Sequence, residues 1–145
     1  MNAQVRRAQP GDADAVARLL HDFNTEFDEP TPGPEKLAAR VRHLLDAGDT
    51  TILLVGEEPE GVAVLRLRPS LWSAGRECYL AELYVVPEHR GHGLGRVLMS
   101  AVLEAARAEG ADYIDLNTDE GDVAAQALYE SLGLKRTAHY YEREL

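Results

Sequence analysis

The first third of the chain has a short β-prone run followed by two stretches of helical periodicity. Val5 to Ala8 predict a strand, and Pro10-Gly11-Asp12 predicts a turn into a helix with Asp12 as its N-cap. The second helix is expected to end near Gly48. Apolar residues recur at the spacing of one helix face, at Val16, Leu19, Leu20 and Phe23, then, after a proline-rich loop, at Leu37, Val41, Leu44 and Leu45.

The middle of the chain changes to short apolar runs, which predict three consecutive strands. The runs are Thr51 to Val55, Val62 to Leu67 and Glu77 to Val86. Residues 57–61 have the composition of a hairpin loop, and Pro87 stops the third run. Strands joined by such short loops pair antiparallel, so this part is expected to form a meander.

The last third predicts a helix, a strand, a second helix and a tail. The helices cover about Gly93 to Glu109 and Val123 to Leu132, and Tyr113 to Leu116 form the strand. The expected buried positions are Leu94, Val97, Leu98, Ala101, Val102 and Ala105 in the first helix, and Ala124, Ala125, Leu128 and Leu132 in the second. The first helix predicts a crossover between the strand before Pro87 and the strand at Tyr113. The tail, Leu134 to Leu145, has room for two short strands.

Length and composition favour one ordinary domain. A chain of 145 residues with this mixed order is expected to form a single α/β (α+β) domain. Its sequence has no apolar run near the roughly 18 residues of a membrane span, and Met1 to Arg7 lack a signal-peptide core. Cys78 is the single cysteine, so no internal disulfide forms, and a reducing cytoplasm is the expected compartment.

The net charge of −10 bears on the partners. A field of this sign repels nucleic-acid phosphates and anionic lipid, so neither is expected to bind, and it favours a cationic acceptor such as an amine. The charge also serves solubility alone. An anionic ligand must therefore be held by local backbone dipoles.

The stretch with chemical information is Arg90-Gly91-His92-Gly93-Leu94-Gly95-Arg96, between a strand and a helix. Glycines allow positive φ, so successive backbone N–H groups can converge on one anion, and the helix adds its positive dipole end. A dinucleotide-binding turn needs glycine where Arg96 stands, and a phosphate-binding Walker loop needs a Gly-Lys-Ser/Thr that is absent. His89 and His92 lack further ligands beside them, so no metal is expected.

Two blocks resemble the GNAT superfamily of N-acetyltransferases. Val85-Val86-Pro87-Glu88-His89-Arg90-Gly91-His92-Gly93-Leu94-Gly95 is similar to its acetyl-CoA signature. The segment from Asp122 through Ala125 and Leu128-Tyr129 to Gly133-Leu134 is similar to its second signature, usually Asn-x-x-Ala-x-x-Leu-Tyr-Glu-x-x-Gly-Phe. The two blocks have the family's order and separation.

The resemblance implies a fold and a cofactor site. The fold is a twisted, mostly antiparallel sheet of about six or seven strands with about four helices, in which a splayed strand pair forms the acyl-CoA cleft. Leu83-Tyr84-Val85 would hold the pantetheine and the thioester carbonyl, and Gly91 to Arg96 the diphosphate, with Arg90 and Arg96 at its rim. Asp122 stands where the family has a cofactor-contacting Asn, but Asp also caps a helix well.

The same resemblance supplies catalytic candidates. Tyr129 matches the general acid that protonates the departing thiolate, although it also lies on an apolar helix face. Glu82 lies on the strand of the acetyl-binding wall, opposite in pleat to Leu83, where it could take the proton from the amine or remain a solvated strand residue. Alternative bases are loop residues Asp119 and Glu120, whereas Asn117 replaces a glutamate found in some relatives.

The acceptor and the assembly are less determined. The acidic, aromatic segment 21–29 either helps to wall the acceptor site or is a solvated helix end, and Trp72 and Tyr79 are weaker candidates for the same cleft. A small amine, a polyamine, an aminoglycoside, an amino acid and a protein or peptide amine all remain open. The resemblance also implies a homodimer.

Three functional hypotheses follow. The first is an enzyme that transfers acetyl from acetyl-CoA to a primary amine by direct attack in a ternary complex. The second is a non-catalytic acyl-CoA-binding regulatory module, which would have less need of Tyr129. The third is a small nucleotide-binding domain, which would bind adenine nucleotides as tightly as acetyl-CoA.

Overall fold

The computed structural model describes residues 4–145 and divides into two compact units. The first runs to Asp115 and contains every strand of the described chain, and the second is Leu116–Leu145. That the whole chain is one domain stays a prediction. Among the helices of residues 4–145, none combines the length and the apolar character that a bilayer crossing requires.

A five-stranded sheet forms the centre of the first unit. Its strands are β1 Val5–Arg7, β2 Thr50–Val55, β3 Gly61–Pro69, β4 Arg76–Val85 and β5 Ala111–Asp115. They lie side by side in chain order, with β1 to β4 antiparallel and β5 parallel to β4. The predicted meander and the crossover are therefore confirmed.

The four helices match the predicted positions. They are α1 Ala13–Glu26, α2 Pro34–Ala47 and α3 Leu94–Ala108 in the first unit, and α4 Val123–Ser131 in the second. Gly48 ends α2 in the left-handed conformation at φ 85°, as expected. Asp12 precedes α1 but makes no capping hydrogen bond to it, because its carboxylate accepts from the Arg6 guanidinium and the Gln9 N–H.

The core lies on both faces of the sheet. On one face, Val16 and Leu19 of α1 and Val41 of α2 belong to one cluster with β2 and β3 residues such as Ile52 and Val62. α3 contacts all five strands, and its Leu98 and Val102 are fully buried. All six positions of β2 are buried because helices cover this central strand on both sides.

Two predicted core faces were wrong in part. The buried stripe of α3 includes Met99 and Ala106, whereas Val97 is exposed. Only the side of a helix that meets the sheet is buried, and the periodicity marked a neighbouring side. None of the α4 residues is fully buried, and Ala124 is exposed, because the second unit has too little chain to enclose a core.

The prediction of six or seven strands was also wrong, since the described sheet has five. The two strands expected in residues 134–145 do not form, and most of the side chains there are exposed, including Tyr140 and Tyr141. An apolar or aromatic tail becomes a strand only where another strand offers its backbone groups.

Candidate active site

One edge of β4 is open over half of its length. β5 pairs with β4 only from Arg76 to Tyr79, and no other strand of residues 4–145 continues along this edge. Just beyond the last pair, the β3 register shifts so that Ala81 has no opposite residue. A bulge of this kind bends a strand and increases its twist. The segment Leu80–Val85, which we call the open half of β4, therefore pairs with β3 alone.

The backbone groups at the end of the open half have defined directions. The Tyr84 carbonyl lies against Gly61 of β3, 3.0 Å from where a Cβ atom on that glycine would stand. The Val85 N–H belongs to the same trans peptide, so it points the other way, to the open edge. The Val86 N–H donates to the Glu60 carbonyl at 2.9 Å, which by the same argument turns the Val85 carbonyl to the open edge.

The glycine turn follows β4 directly. A short 3-10 turn, Pro87–His89, leads into it, and Gly91 and Gly93 take φ values of 83° and 81°. Only glycine adopts such angles without strain. The N–H groups of residues 91 to 95 make no hydrogen bond within the described chain, and α3 begins at Leu94 without a side-chain cap. These unbonded donors and the helix dipole suit a diphosphate.

Glu82 lies in the open half of β4, on the same face as Tyr84 and opposite in pleat to Leu83. Its carboxylate has no hydrogen-bond or ion-pair partner among residues 4–145. Burial raises the pKa of the Glu82 carboxyl. A partly buried carboxylate without a cation beside it is a better proton acceptor than an exposed one.

Arg90 is engaged by protein groups. Its Nη atoms donate to both carboxylate oxygens of Glu26 at 2.8 and 2.9 Å, and its Nε donates to the Val85 carbonyl at 2.9 Å. The Tyr84 hydroxyl donates to Glu26 Oε1 at 3.0 Å. Burial and this hydrogen bond raise the pKa of Tyr84 to about 12, so the phenol stays protonated. Tyr84 therefore turns its carbonyl to β3 and its side chain to Glu26.

Asp122 and Tyr129 belong to the second unit. Asp122 caps α4, since its carboxylate accepts from the Ala125 N–H at 3.0 Å, which confirms the structural interpretation of this position. Burial, and then the negative charge of Asp122, raise the pKa of Tyr129. Its hydroxyl is therefore protonated at neutral pH, as a general acid must be. Gly133 ends the helix at φ 88°, as expected.

The remaining candidates have mixed positions. Trp72 is exposed and lines a surface cavity of about 730 Å³ with Tyr113 and the acidic residues Glu77, Asp112 and Asp115. The carbonyls of Asp119 and Glu120 accept from the Gln126 side chain, which fixes the loop before α4. His89 lies 3.8 Å from a Glu60 oxygen, and no group of three or more potential metal ligands occurs among residues 4–145.

Comparison with known proteins gives the family. A sequence profile of the acetyltransferase (GNAT) family matches residues 14–134, which is most of the chain. The chain belongs to the GNAT acetyltransferase family. A GNAT enzyme is an acyltransferase, and the profile covers both the glycine turn and Tyr129 of this one.

The relatives agree with this GNAT assignment. The crystal structure of a protein from Arthrobacter sp. FB24, itself named only as an acetyltransferase, superimposes with a TM-score of 0.90 at 45% identity and covers 98% of this chain and 96% of its own. The uncharacterized N-acetyltransferase YhfO of Bacillus subtilis (strain 168) is 30% identical over 89% of this chain and 87% of its own. A thialysine N-epsilon-acetyltransferase of Bos taurus is also 30% identical, over 89% of this chain and 82% of its own.

The sequence analysis did not predict the contact between Glu26 and Arg90. The sequence placed Glu26 in an acidic segment that either met the acceptor or faced solvent, and it gave Arg90 to the cofactor rim. The structure joins the two residues. The available signal was an acidic residue at the C-terminus of a helix, where the dipole disfavours a negative charge.

Proposed function

We propose that this GNAT enzyme transfers the acetyl group of acetyl-CoA to a primary amine of a small molecule, by direct attack in a ternary complex. The observation that carries the proposal is the row of unbonded N–H groups from residues 91 to 95, placed directly after the open half of β4. It supplies donors for a diphosphate and, next to them in the chain, an unpaired strand edge for an extended amide-containing arm.

The donor would be held mainly by backbone. The turn from Gly91 to Arg96 would bind the diphosphate, which suits a chain of net charge −10 because main-chain dipoles replace side-chain cations. The backbone groups of Leu83 would pair with the pantetheine arm, and the Val85 N–H would donate to the thioester carbonyl, since the Val85 carbonyl already accepts from Arg90. Bound acetyl-CoA supplies the acetyl group in an activated, thioester form.

The residues then divide the proton transfers. An alkylammonium has a pKa near ~10.4, so Glu82 takes a proton from it, directly or through water, before the nitrogen attacks. As the new C–N bond forms, the C–S bond breaks and its electron pair goes to sulfur. Tyr129 gives that sulfur its proton, a step that is uphill because a thiol has a pKa near ~8.5 and tyrosine one near ~10, which burial raises further for Tyr129. The proton that the attacking nitrogen still has to lose passes, directly or through water, to the Tyr129 phenolate.

A small cationic amine is the acceptor class that the charges favour. The net charge of −10 attracts cations to the protein, and a partly buried Glu82 accepts the proton that an ammonium must lose. The bovine relative is named for the terminal amine of thialysine, which is a compound of this class. A panel of amino acids, polyamines and aminoglycosides, read by mass shift, tests the choice.

The test combines binding and turnover. Calorimetry should show acetyl-CoA binding to the wild-type protein, and thiol release with the amine panel should identify an acceptor. Tyr129→Phe should lower kcat about 10²-fold or more and leave acetyl-CoA affinity unchanged, because only the proton donor is removed. Tyr141→Phe, an exposed position in the same unit, is the matched control. Full turnover by Tyr129→Phe would exclude Tyr129 as the acid.

A further inference from the structure

A bidentate ion pair joins the last residue of α1 to the loop before the glycine turn. Arg90 Nη1 donates to Glu26 Oε2 at 2.8 Å, and Nη2 donates to Oε1 at 2.9 Å. The Tyr84 hydroxyl reaches the same Oε1, and the guanidinium carbon lies 5.5 Å from the centre of the Tyr84 ring. Phe23 stacks on Tyr84 with 4.8 Å between ring centres. We call Phe23, Glu26, Tyr84 and Arg90 the Glu26–Arg90 clamp.

The third guanidinium contact fixes the end of β4. Arg90 Nε donates to the Val85 carbonyl at 2.9 Å, so the side chain folds back across the Pro87–His89 turn. The Val85 carbonyl faces the open edge, where no strand of the described part of the chain pairs with it, and Arg90 supplies the missing donor. The three contacts use the planar fork of a guanidinium, which a lysine ammonium cannot reproduce. The clamp therefore holds the peptide unit that follows Val85 and the side chain of Tyr84 that precedes it.

Glu26 is poorly explained by the stability of α1 itself. It is the last residue of that helix, where the dipole disfavours a negative charge. Its two oxygens are instead occupied by Arg90 and Tyr84, 64 and 58 positions further along the chain. Because the carboxylate neutralises Arg90, the guanidinium offers little positive charge to a phosphate.

We propose that Glu26 and Arg90 are positioning residues for the acyl donor, acting as one unit that holds the Val85 peptide and the glycine turn in their binding geometry, and that Arg90 is not a phosphate ligand. The proposal rests on the proposed function. Neither residue touches the reacting atoms. Their effect is on the placement of the backbone donors that do.

With acetyl-CoA as the acyl donor, the direction in which Glu26→Gln changes kcat/KM and acetyl-CoA affinity tests the proposal. If Glu26 positions the loop, Glu26→Gln and Arg90→Gln should each lower kcat/KM about 10- to 100-fold, the size expected for a small misplacement. The double variant should lose no more than the worse single variant, because the two act as a unit. If instead Glu26 keeps Arg90 away from a phosphate, Glu26→Gln should tighten acetyl-CoA binding, and that result would overturn the proposal.

Arg90→Lys and a truncated donor separate geometry from charge. A lysine keeps the positive charge but loses the fork, so Arg90→Lys should be as impaired as Arg90→Gln. S-Acetylpantetheine carries the thioester arm without the diphosphate, and its kcat/KM should fall by a factor similar to that for acetyl-CoA. Rescue by lysine, or a loss confined to acetyl-CoA, would assign Arg90 to the phosphates.

The chain offers a matched control. Arg6 and Asp12 form the same two-contact ion pair at 2.9 Å, at similar exposure and in the same unit, but between β1 and the turn before α1. Arg6→Gln should lower the melting temperature about as much as Arg90→Gln and leave both kcat and KM unchanged. An equal loss of kcat/KM in Arg6→Gln would mean that general loosening, not positioning, causes the effect.

The two proposals fail in different ways. If the wild-type protein neither binds acetyl-CoA in calorimetry nor releases thiol with any amine, the proposed function is wrong. If the wild-type protein does both and the Glu26 and Arg90 variants match it in kcat/KM, only the positioning role is wrong.

Discussion

The two halves of β4 have the same neighbour on one side and differ on the other. From Arg76 to Tyr79 the strand pairs with both β3 and β5, and from Leu80 to Val85 its only partner strand among residues 4–145 is β3. The bulge at Ala81 lies just past the change. A fully paired strand has no backbone groups left for a ligand, whereas the open half offers a row of them. One strand thus supplies structure in its first half and candidate chemistry in its second.

The acidic side chains of the two halves differ in the same way. Glu77, in the paired half, is bound by the Arg68 guanidinium. Glu82, in the open half, has no cation beside it among residues 4–145, and burial raises its pKa. A desolvated carboxylate that lacks a cation beside it is a better proton acceptor than a solvated one. Position along β4 therefore predicts that Glu82 takes part in proton transfer and that Glu77 has a structural role.

The largest effect is expected from Val85→Pro, a substitution at the end of the open half of β4. Proline removes the N–H that points to the open edge and keeps the bonds to β3, so the fold should persist. Turnover should fall about 10³-fold, because this N–H is the proposed donor to the thioester carbonyl. Thiol-release kinetics measure the loss, and circular dichroism with a melting curve verifies the fold.

Cys78→Pro is the counterpart in the paired half. There both edges are occupied, so proline removes a ladder hydrogen bond and should destabilise the protein by about 1–3 kcal/mol or unfold it. A folded Val85→Pro protein with normal turnover would show that the N–H takes no part in the reaction.

Glu82→Gln should have the next largest effect, a loss of about 10²-fold in kcat. Since burial raises the pKa of Glu82, wild-type activity should increase with pH over a range above the ordinary value near ~4.3, and this limb should vanish in the variant. The folded state favours the neutral acid, so Glu82 makes the wild type lose stability as pH rises through that range. Glu82→Gln should thus be more stable than the wild type at neutral pH.

Glu77→Gln is the control for this loss. It changes the same residue type on the same strand, but in the paired half and beside Arg68. Its kcat and its pH profile should match those of the wild type. If both glutamine variants lose activity equally, the difference between the halves of β4 has no catalytic meaning.

Much of the fold was predictable because its signals are local. The strand and helix positions follow from periodicity over neighbouring residues, and the left-handed angles of Gly91 and Gly93 come from the glycines themselves. The prediction of two strands in residues 134–145 was wrong for the opposite reason. A strand needs a partner strand, and the sequence of the tail does not contain that partner. The buried stripe of α3 likewise depends on which side of the helix the sheet meets.

The same distinction between local and long-range signals applies to the candidate site. The glycine turn is a local motif, so its conformation was predictable from its own residues. The open half of β4 was expected only through a resemblance, because the sequence of one strand does not show which of its edges is paired. The bond between Glu26 and Arg90 spans 64 positions, so no local pattern reports it. Because the two residues lie in separate segments, the sequence suggested a different role for each: the acceptor site or solvent for Glu26, and the cofactor rim for Arg90.

Substitution of Cys78, which lies in the paired half of β4, has the smallest expected effect. It is fully buried, and burial raises the pKa of its thiol to about 11, so almost none is thiolate at neutral pH. A disulfide reagent such as dithionitrobenzoate should react with it only after denaturation. Cys78→Ala should cost about 1 kcal/mol of stability, for the lost packing, with kcat and KM unchanged. Rapid labelling of the native protein would show that this half of β4 opens as well.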